Sequence, residues 1–226
     1  MRSVLEILER LHVLLAVRYC YDISLCEDAT ERTRERARLL SWVKGRGLLA
    51  AMDAEELEIL NENPESLTGD LAINASWAIE GAYLCAWTLT LHRALEYDES
   101  IEDICELAAA SGFLEETAAK TVLRDEEELL ECQRLLRTCL WRFRDYASGH
   151  KHRDLMDIAG RMRTVELSVK GLRLINNDLS VCGESISLLP EQEYDATQSS
   201  IQERFRAINW ILAEDGERYD EADVDT

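Results

Sequence analysis

One acid stands on an otherwise apolar helical stretch. From Leu71 to Leu91 the chain runs 21 residues with a single charge, Glu80. Trp77, Glu80, Leu84, Trp87 and Leu91 recur at helical spacing and so share one face. A carboxyl held between two indoles and kept from water resists ionisation, which makes Glu80 a candidate general acid or base. The competing reading is a structural ion pair, and the sequence offers a partner. Near the C-terminus Ile201, Arg204, Phe205, Ile208, Ile211 and Leu212 form an apolar stripe with Arg204 inside it. An arginine on a core-facing stripe needs a carboxylate, because an uncompensated buried charge is costly. A Glu80–Arg204 pair is therefore expected, structural first and site-forming second.

Other constellations are weaker. His150 and His152 flank Lys151, but no third ligand lies nearby, so an exposed loop is expected there. Asp220, Asp223 and Asp225 lack the glycine and terminal glutamate of a calcium loop; residues 214–226 read as a solvated acidic tail. No G-x-S-x-G, Walker A, G-x-G-x-x-G or H-E-x-x-H occurs. No catalytic set, metal site or cofactor is assigned, and this weighs against an enzyme without excluding one.

The elements that must position these residues are mostly helical. Many Leu, Ala, Glu and Arg, with only 2 Pro and 10 Gly, favour helix. The spacing predicts a first amphipathic helix over about 3–18, with Leu5, Leu8, Leu11 and Leu15 on one side. A connection over 20–28 follows, then a helix capped by Thr30 and running to about Met52. Asp53 with Glu56 opens a short helix that ends at Asn61–Pro64. Beyond the central helix at about 71–92, a helix starts at Asp98 or Ser100 and stops at Ser111–Gly112. A short helix from Phe113, a long one from Asp125 to about Ala147 and another near 152–163 come next. Leu172–Ile175 and Leu179–Val181 alternate around an Asn-Asn-Asp turn, a small β-hairpin within about 170–187. A polar loop over 191–200 and a last helix over about 199–213 complete the chain. The expectation is a single, mainly α domain over 1–226, an irregular bundle around the central helix.

Charge and cysteine usage narrow the function class. The 226 residues carry 25 basic and 45 acidic side chains, a net charge of −20. Phosphate binders carry a positive footprint, so a general nucleic-acid binder is disfavoured. The acids come in runs: residues 53–70 hold seven and no base, and residues 96–116 hold eight and no base. Residues 134–173, by contrast, hold ten bases and four acids, either neutralised by neighbouring acids or forming a groove for an anion. The seven cysteines show no C-x-x-C and no zinc spacing; free thiols of this kind suit a reducing cytoplasm. The N-terminal text is broken by Glu6, Glu9, Arg10 and His12, unlike a secretory signal. Glu80 at the middle of the apolar stretch argues for a buried helix over a membrane span.

The segments SWAIEGAYLCAWTL (76–89), LRDEEELLECQRLLRTCLWRFRDYA (123–147) and ERFRAINWIL (203–212), closed by YDEADVDT (219–226), resemble a family of mainly bacterial proteins known as domain of unknown function 4272. The likeness starts with RSVLEIL at Arg2 and takes in the hairpin text LRLINNDLSVCGESI; the glutamate-arginine, four residues, asparagine-tryptophan stretch is its most specific part. The chain departs where the family usually has Ser-Trp-Arg, here Ser76-Trp77-Ala78, and where it has Trp-Asp, here Tyr219-Asp220. The resemblance implies a cytoplasmic helical domain and supplies no activity. It adds Asn209 and Trp210 to Trp77, Glu80, Trp87 and Arg204 as positions that are either core or site.

Two function classes follow. The first is a non-catalytic interaction protein whose acidic surface engages a basic protein, such as a basic toxin or nuclease, since opposite fields speed association. The alternative is a small-molecule enzyme or sensor using Glu80, Arg204 and Asn209 in a tryptophan-lined pocket. Burial of Glu80, and whether the acidic runs meet on one surface, discriminate between them.

Overall fold

The computed structural model describes every residue except 102, 115–119, 162–166, 214–216 and 225–226. Helix α1 spans Val4–Ser24 and opens on a reciprocal cap: the Ser3 hydroxyl accepts from the Glu6 amide while the Glu6 carboxylate accepts from the Ser3 amide. It runs past the expected end near residue 18. Residues 20–24 carry no helix breaker and bury Cys20 and Ile23, so the expected connection shrinks to a few residues. Helix α2 (Ala29–Arg46) is capped by Asp28, whose carboxylate accepts from the amides of Thr30 and Glu31. The expected cap Thr30 is thus already inside the helix. The helix ends short of Met52 because Gly47 takes the left-handed conformation at φ +74°.

Helix α3 (Ala54–Asn61) has the reciprocal Asp53–Glu56 cap read from sequence. Central helix α4 (Gly69–Thr88) is shorter than 71–92 at its C-terminal end, where the chain turns sharply and Thr90 adopts φ +57°. Helix α5 (Ile104–Ser111) starts at Asp103 instead of Asp98 or Ser100 and stops at left-handed Gly112. The expected helix from Phe113 does not form at Phe113 and Leu114, which make a turn; its continuation over 115–119 lies outside the described residues. Helix α6 (Glu126–Ala147) has Asp125 as cap, acids in its first turn and Arg144 in its last, the polarity that the helix dipole favours. Helix α7 covers Leu155–Arg161.

Asn176 (φ +52°) and Asn177 (φ +63°) both adopt the left-handed conformation that a two-residue hairpin turn requires. They join β1 (Leu174–Ile175) to β2 (Asp178–Val181), with Leu174 opposite Leu179. A second tight turn at Cys182 and Gly183 returns β3 (Glu184–Ser185) along β2, so the hairpin is a three-stranded antiparallel sheet. Helix α8 (Glu191–Leu212) overturns the expected loop at 191–200. That segment is polar because its turns face solvent; Tyr194 alone anchors it early, stacking on Phe143 and donating its hydroxyl to the Phe143 carbonyl at 2.6 Å. Pro190 opens the helix, and Glu191 and Glu193 fill its first turn, a start signal that the low hydrophobicity concealed.

Helix α4 packs against α1 on one side and α8 on the other, and α8 packs on α6. Almost all of the second half of α4 is buried, from Ala78 to Thr88. Among the described residues no helix is long and apolar enough to cross a membrane. The C-terminal residues dock instead of fraying, contrary to the solvated tail expected from their charge. Tyr219 and Ala222 are buried, Asn209 Nδ2 donates to the Asp223 carbonyl, and Arg2 donates to the Glu217 carbonyl. Tyr219 and Ala222 anchor the described part of the segment, while Asp220, Glu221 and Asp223 stay exposed.

Candidate functional site

Glu80 and Arg204 form an ion pair at the α4–α8 contact, 1% and 2% exposed. Arg204 Nε donates to Glu80 Oε2 at 2.8 Å and Nη2 lies 2.6 Å from the same oxygen. The other guanidinium donors are also engaged: Nη1 with the Glu96 carbonyl at 3.1 Å and Nη2 with the Glu99 carbonyl at 2.5 Å. The Ile101 amide donates to Glu80 Oε1, and the Tyr83 ring covers the guanidinium at 4.8 Å. Arg204 thus spends its fork on the chain itself, pinning the 96–101 segment between two helices. Every nitrogen of the fork is engaged, as is Glu80 Oε2, while Oε1 accepts one bond and Glu80 also borders a cavity of about 280 Å³.

Of the remaining candidates the two tryptophans of α4 flank the pair in separate cavities, while Asn209 and Trp210 make other contacts. Trp87 borders a cavity of about 400 Å³ with Tyr83, Leu95, Leu136 and the edge of Arg204, and Arg124 stacks over its indole at 4.7 Å. Trp77 shares the cavity of about 280 Å³ with Glu80, Tyr21 and Ile101, and it also lines a second, acidic one. Asn209 accepts from Gln133 Nε2 at 2.8 Å and holds the tail. Trp210 is packed between Arg2, at 4.9 Å over its ring, and Tyr219. The ion pair therefore borders a cavity on each side, Arg204 with Trp87 on one and Glu80 with Trp77 on the other.

The second cavity, about 460 Å³, was not legible residue by residue. Its walls are Leu14 and Val17 from α1, Ile59 from α3, and Trp77 and Ala78 from α4. Its polar lining is acidic: Asp53, Glu55 and Glu56 at the start of α3, Glu203 on α8 and Asp220 from the tail, against one cation, Arg206. The acidic run at 53–70 thus meets Glu203 and the acidic tail here, while the run at 96–116 contributes nothing to the lining. A neighbouring cavity of about 210 Å³ shares Asp53, Tyr219 and Asp220 and adds Glu6, Glu9 and Glu217 with Arg10 and Arg218, so the acidic lining continues across both.

Electrostatics reflect the excess of acids. Burial pushes the Glu203 carboxyl above the ordinary range, with Glu55 and Glu80 adding to the rise and Arg206, at 2.8 Å, only partly offsetting it. Glu56 is raised by burial and by Asp53, although Arg10 Nη1 donates to it at 2.6 Å. At the rim, Glu55 accepts from Asn74 at 3.0 Å and Asp220 from Arg218 at 3.0 Å. Tyr219, 5% exposed, lines the cavity, and its buried hydroxyl has no hydrogen-bond partner among the described residues. It lies against the wall made by α1 and α4, over Gly81.

Gly81 is required by that contact. A Cβ there would sit 2.4 Å from the Tyr219 hydroxyl oxygen but 3.6 Å from Cζ. Gly81→Ala is expected to cost about 1–3 kcal/mol, the usual penalty for overpacking. In a Tyr219→Phe background the clash with the hydroxyl is gone and Leu14 Cδ1, at 3.2 Å, is the one close neighbour that must give way, so the same change should cost clearly less. Urea denaturation of the four proteins checks this; an equal cost in both backgrounds contradicts the contact.

The cationic segment 134–173 is largely neutralised where it stands. Arg142 and Arg153 meet Asp145, Arg134 meets Glu127, Arg161 meets Asp157, and Lys170 and Arg173 meet Glu131 and Asp98. His150 Nδ1 lies 2.8 Å from Asp145, and His152 Nε2 lies 3.1 Å from the Asn176 carbonyl, both on an exposed loop. Among the described residues no three groups gather as metal ligands would. Burial raises the thiols of Cys20 to about 11 and of Cys85 and Cys132 to about 12, which keeps them protonated and unreactive at neutral pH.

Compared with known proteins, residues 1–165 match the family model described as domain of unknown function (DUF4272). The match takes in the segments at 76–89 and 123–147 and ends before 203–212 and the tail. No curated protein and no solved structure matches the chain. The chain belongs to the DUF4272 family.

Proposed function

We propose that this member of the DUF4272 family is a non-catalytic binding protein whose acidic face engages a basic protein. The observation that carries the reading is the convergence of separate acidic runs. Carboxylates from α1, α3, α8 and the tail line two adjoining cavities, while the described cations of 134–173 are mostly spent on internal pairs. A concentrated negative field accelerates encounter with a cationic partner and suppresses anionic ones. The seven free thiols support a cytoplasmic setting.

The test is binding of a fluorescent lysine- and arginine-rich peptide, read by anisotropy at low and moderate salt. Glu55→Gln, Glu203→Gln and Asp220→Asn together should weaken binding by tenfold or more. A control triple with the same charge change elsewhere, Glu27→Gln, Glu62→Gln and Asp70→Asn, should behave as wild type after allowance for net charge. Equal losses in the two triples, or no binding at low salt, would sink the proposal.

A second reading has one specific observation behind it. The 400 Å³ cavity beside Trp87 has an apolar floor and falls within the size range of small-molecule sites. A ligand there at 100 times its dissociation constant would add about 2.7 kcal/mol of stability. A thermal-shift screen of small molecules, repeated on Trp87→Ala, separates this reading from the first.

A further inference from the structure

We infer that the cavity of about 280 Å³ between α1, α4, α8 and the 97–101 segment binds a small neutral molecule with several hydroxyl groups, a polyol or a monosaccharide, and that the Ser200 hydroxyl is an inner contact. This site is separate from the acid-lined cavities and from the one beside Trp87, and it does not depend on a basic partner.

Ser200 provides the sign of a ligand. It is 4% exposed and belongs to the lining of this cavity. A hydroxyl inside a helix can bond back to the carbonyl four residues earlier, as Thr33 does in α2 and Thr138 in α6. Ser200 does not. Its hydroxyl makes no hydrogen bond among the described residues, yet the oxygen keeps some surface of its own. Since nearly all of Ser200 is enclosed, that surface is the part that lines the cavity. Three positions earlier on α8, Thr197 carries another hydroxyl without a partner among the described residues, and Tyr21 and the exposed Ser100 add two more around the space. A buried hydroxyl left unpaired costs free energy, and a ligand hydroxyl, donor and acceptor at once, satisfies it.

The charged groups of the lining specify a neutral ligand. Each is already balanced inside the protein: Glu80 by Arg204, Asp98 by Arg173 and Arg18 by Asp22. An ion entering here would find no uncommitted counter-charge, and an unpaired ion in an enclosed site is costly. Capacity for hydrogen bonds remains where capacity for charge does not. Glu80 Oε1 accepts from the Ile101 amide at 3.4 Å and has room for a stronger donor. Arg18 lies 5.5 Å over the Tyr21 ring and donates to the Ser76 carbonyl at 3.1 Å, so it forms a fixed wall. Trp77 and Ile79 supply apolar surface for the C–H face of a ring or carbon chain. At about 30 Å³ for each water, the cavity has space for roughly nine, which suits one molecule of monosaccharide size.

The experiment uses the full chain with myo-inositol and D-glucose as probes, cyclohexanol as a ring with a single hydroxyl, and gluconate and glucosamine as charged counterparts. Polyols raise Tm by exclusion from any protein surface, so binding is read directly by calorimetry and the stability of each free variant by urea denaturation. Inositol or glucose is expected to bind in the millimolar range, and the other three compounds more weakly. Ser200→Ala should weaken that binding roughly fivefold, the worth of one hydrogen bond. The free Ser200→Ala protein should be as stable as wild type or more so, since alanine is the better helix former and no internal bond is lost. A merely structural hydroxyl cannot give those opposite signs. Thr197→Val should also weaken binding, while Ser199→Ala, at the adjacent position outside the lining, should bind as wild type. If neither inositol nor glucose binds, or if Ser200→Ala leaves the affinity unchanged or falls no further than Ser199→Ala, the inference is overturned. Cyclohexanol binding as tightly as the polyols also overturns it, since the hydroxyls then play no part. Tighter binding of gluconate or glucosamine makes the ligand an ion and ends the neutral class. None of these outcomes decides the acidic-face reading, which stands or falls on the peptide.

Discussion

Glu80→Gln should cost about 3–5 kcal/mol of folding stability, the penalty for leaving one member of a buried pair uncompensated. That is a large part of the 5–15 kcal/mol that holds a typical domain together. For a chain of this size each 1 kcal/mol is about 2–4 °C in Tm, so the midpoint should fall by roughly 10 °C or more. Glutamine keeps the shape but removes the charge, and Arg204 then lies 2% exposed with only the Glu96 and Glu99 carbonyls to face. Arg204→Met should cost a similar amount by stranding Glu80. The double variant should cost much less than the sum, since replacing both charges removes the desolvation penalty together with the attraction. Additive losses in a double-mutant cycle would show that the two do not act as a pair.

The second large effect lies at the opposite end of α6. Arg142, fully buried, donates from Nε and Nη2 to the two carboxylate oxygens of Asp178 at 2.6 and 2.8 Å. The Arg153 amide adds a third donor to Asp178, and the Arg142 guanidinium also reaches the His150 carbonyl at 3.1 Å. This pair clamps the small sheet to α6. Asp178→Asn or Arg142→Met should again cost about 3–5 kcal/mol. The pH dependence has a definite sign. Burial works to raise the Asp178 carboxyl, but Arg142 and the amides of Leu179 and Arg153 outweigh it, and the net shift is downward. A carboxyl lowered on folding contributes stability in full above its unfolded value, about 3.9, and loses it as pH falls through the lowered native value. Wild type should therefore lose stability steeply below about pH 4, and Asp178→Asn should show a flatter acid limb. Parallel acid limbs in urea titrations from pH 2 to 7 would contradict this.

The two ion pairs were unequally visible before folding. Arg204 stood inside an apolar stripe and Glu80 inside an apolar run, so each was an anomaly that called for the other. In the sequence Arg142 is one of ten bases over 134–173, and Asp178 closes the Asn-Asn-Asp turn. Neither broke a pattern, because short strands and the last turns of a helix tolerate charge. Burial of that pair is a consequence of the sheet folding onto α6, which no local spacing records.

What the sequence determined by itself is local chemistry. The starts at Asp53 and Asp125, the stop at Gly112 and the Asn176–Asn177 turn are all legible, because each depends on a few neighbouring residues. The central helix follows from its apolar run and the mainly α class from composition. The two helices that run longer than expected, α1 and α8, do so because a polar stretch without a breaker can continue a helix whose outer face is wet. Tertiary structure alone decided the cleft. Glu55, Glu203, Tyr219 and Asp220 are spread over 166 positions of chain, and only the packing of α3, α4 and α8 with the docked tail brings their charges within reach of one another. Coulomb interaction depends on distance through space and not on separation in sequence. That is why the acidic runs could be counted from the sequence but the site they build could not.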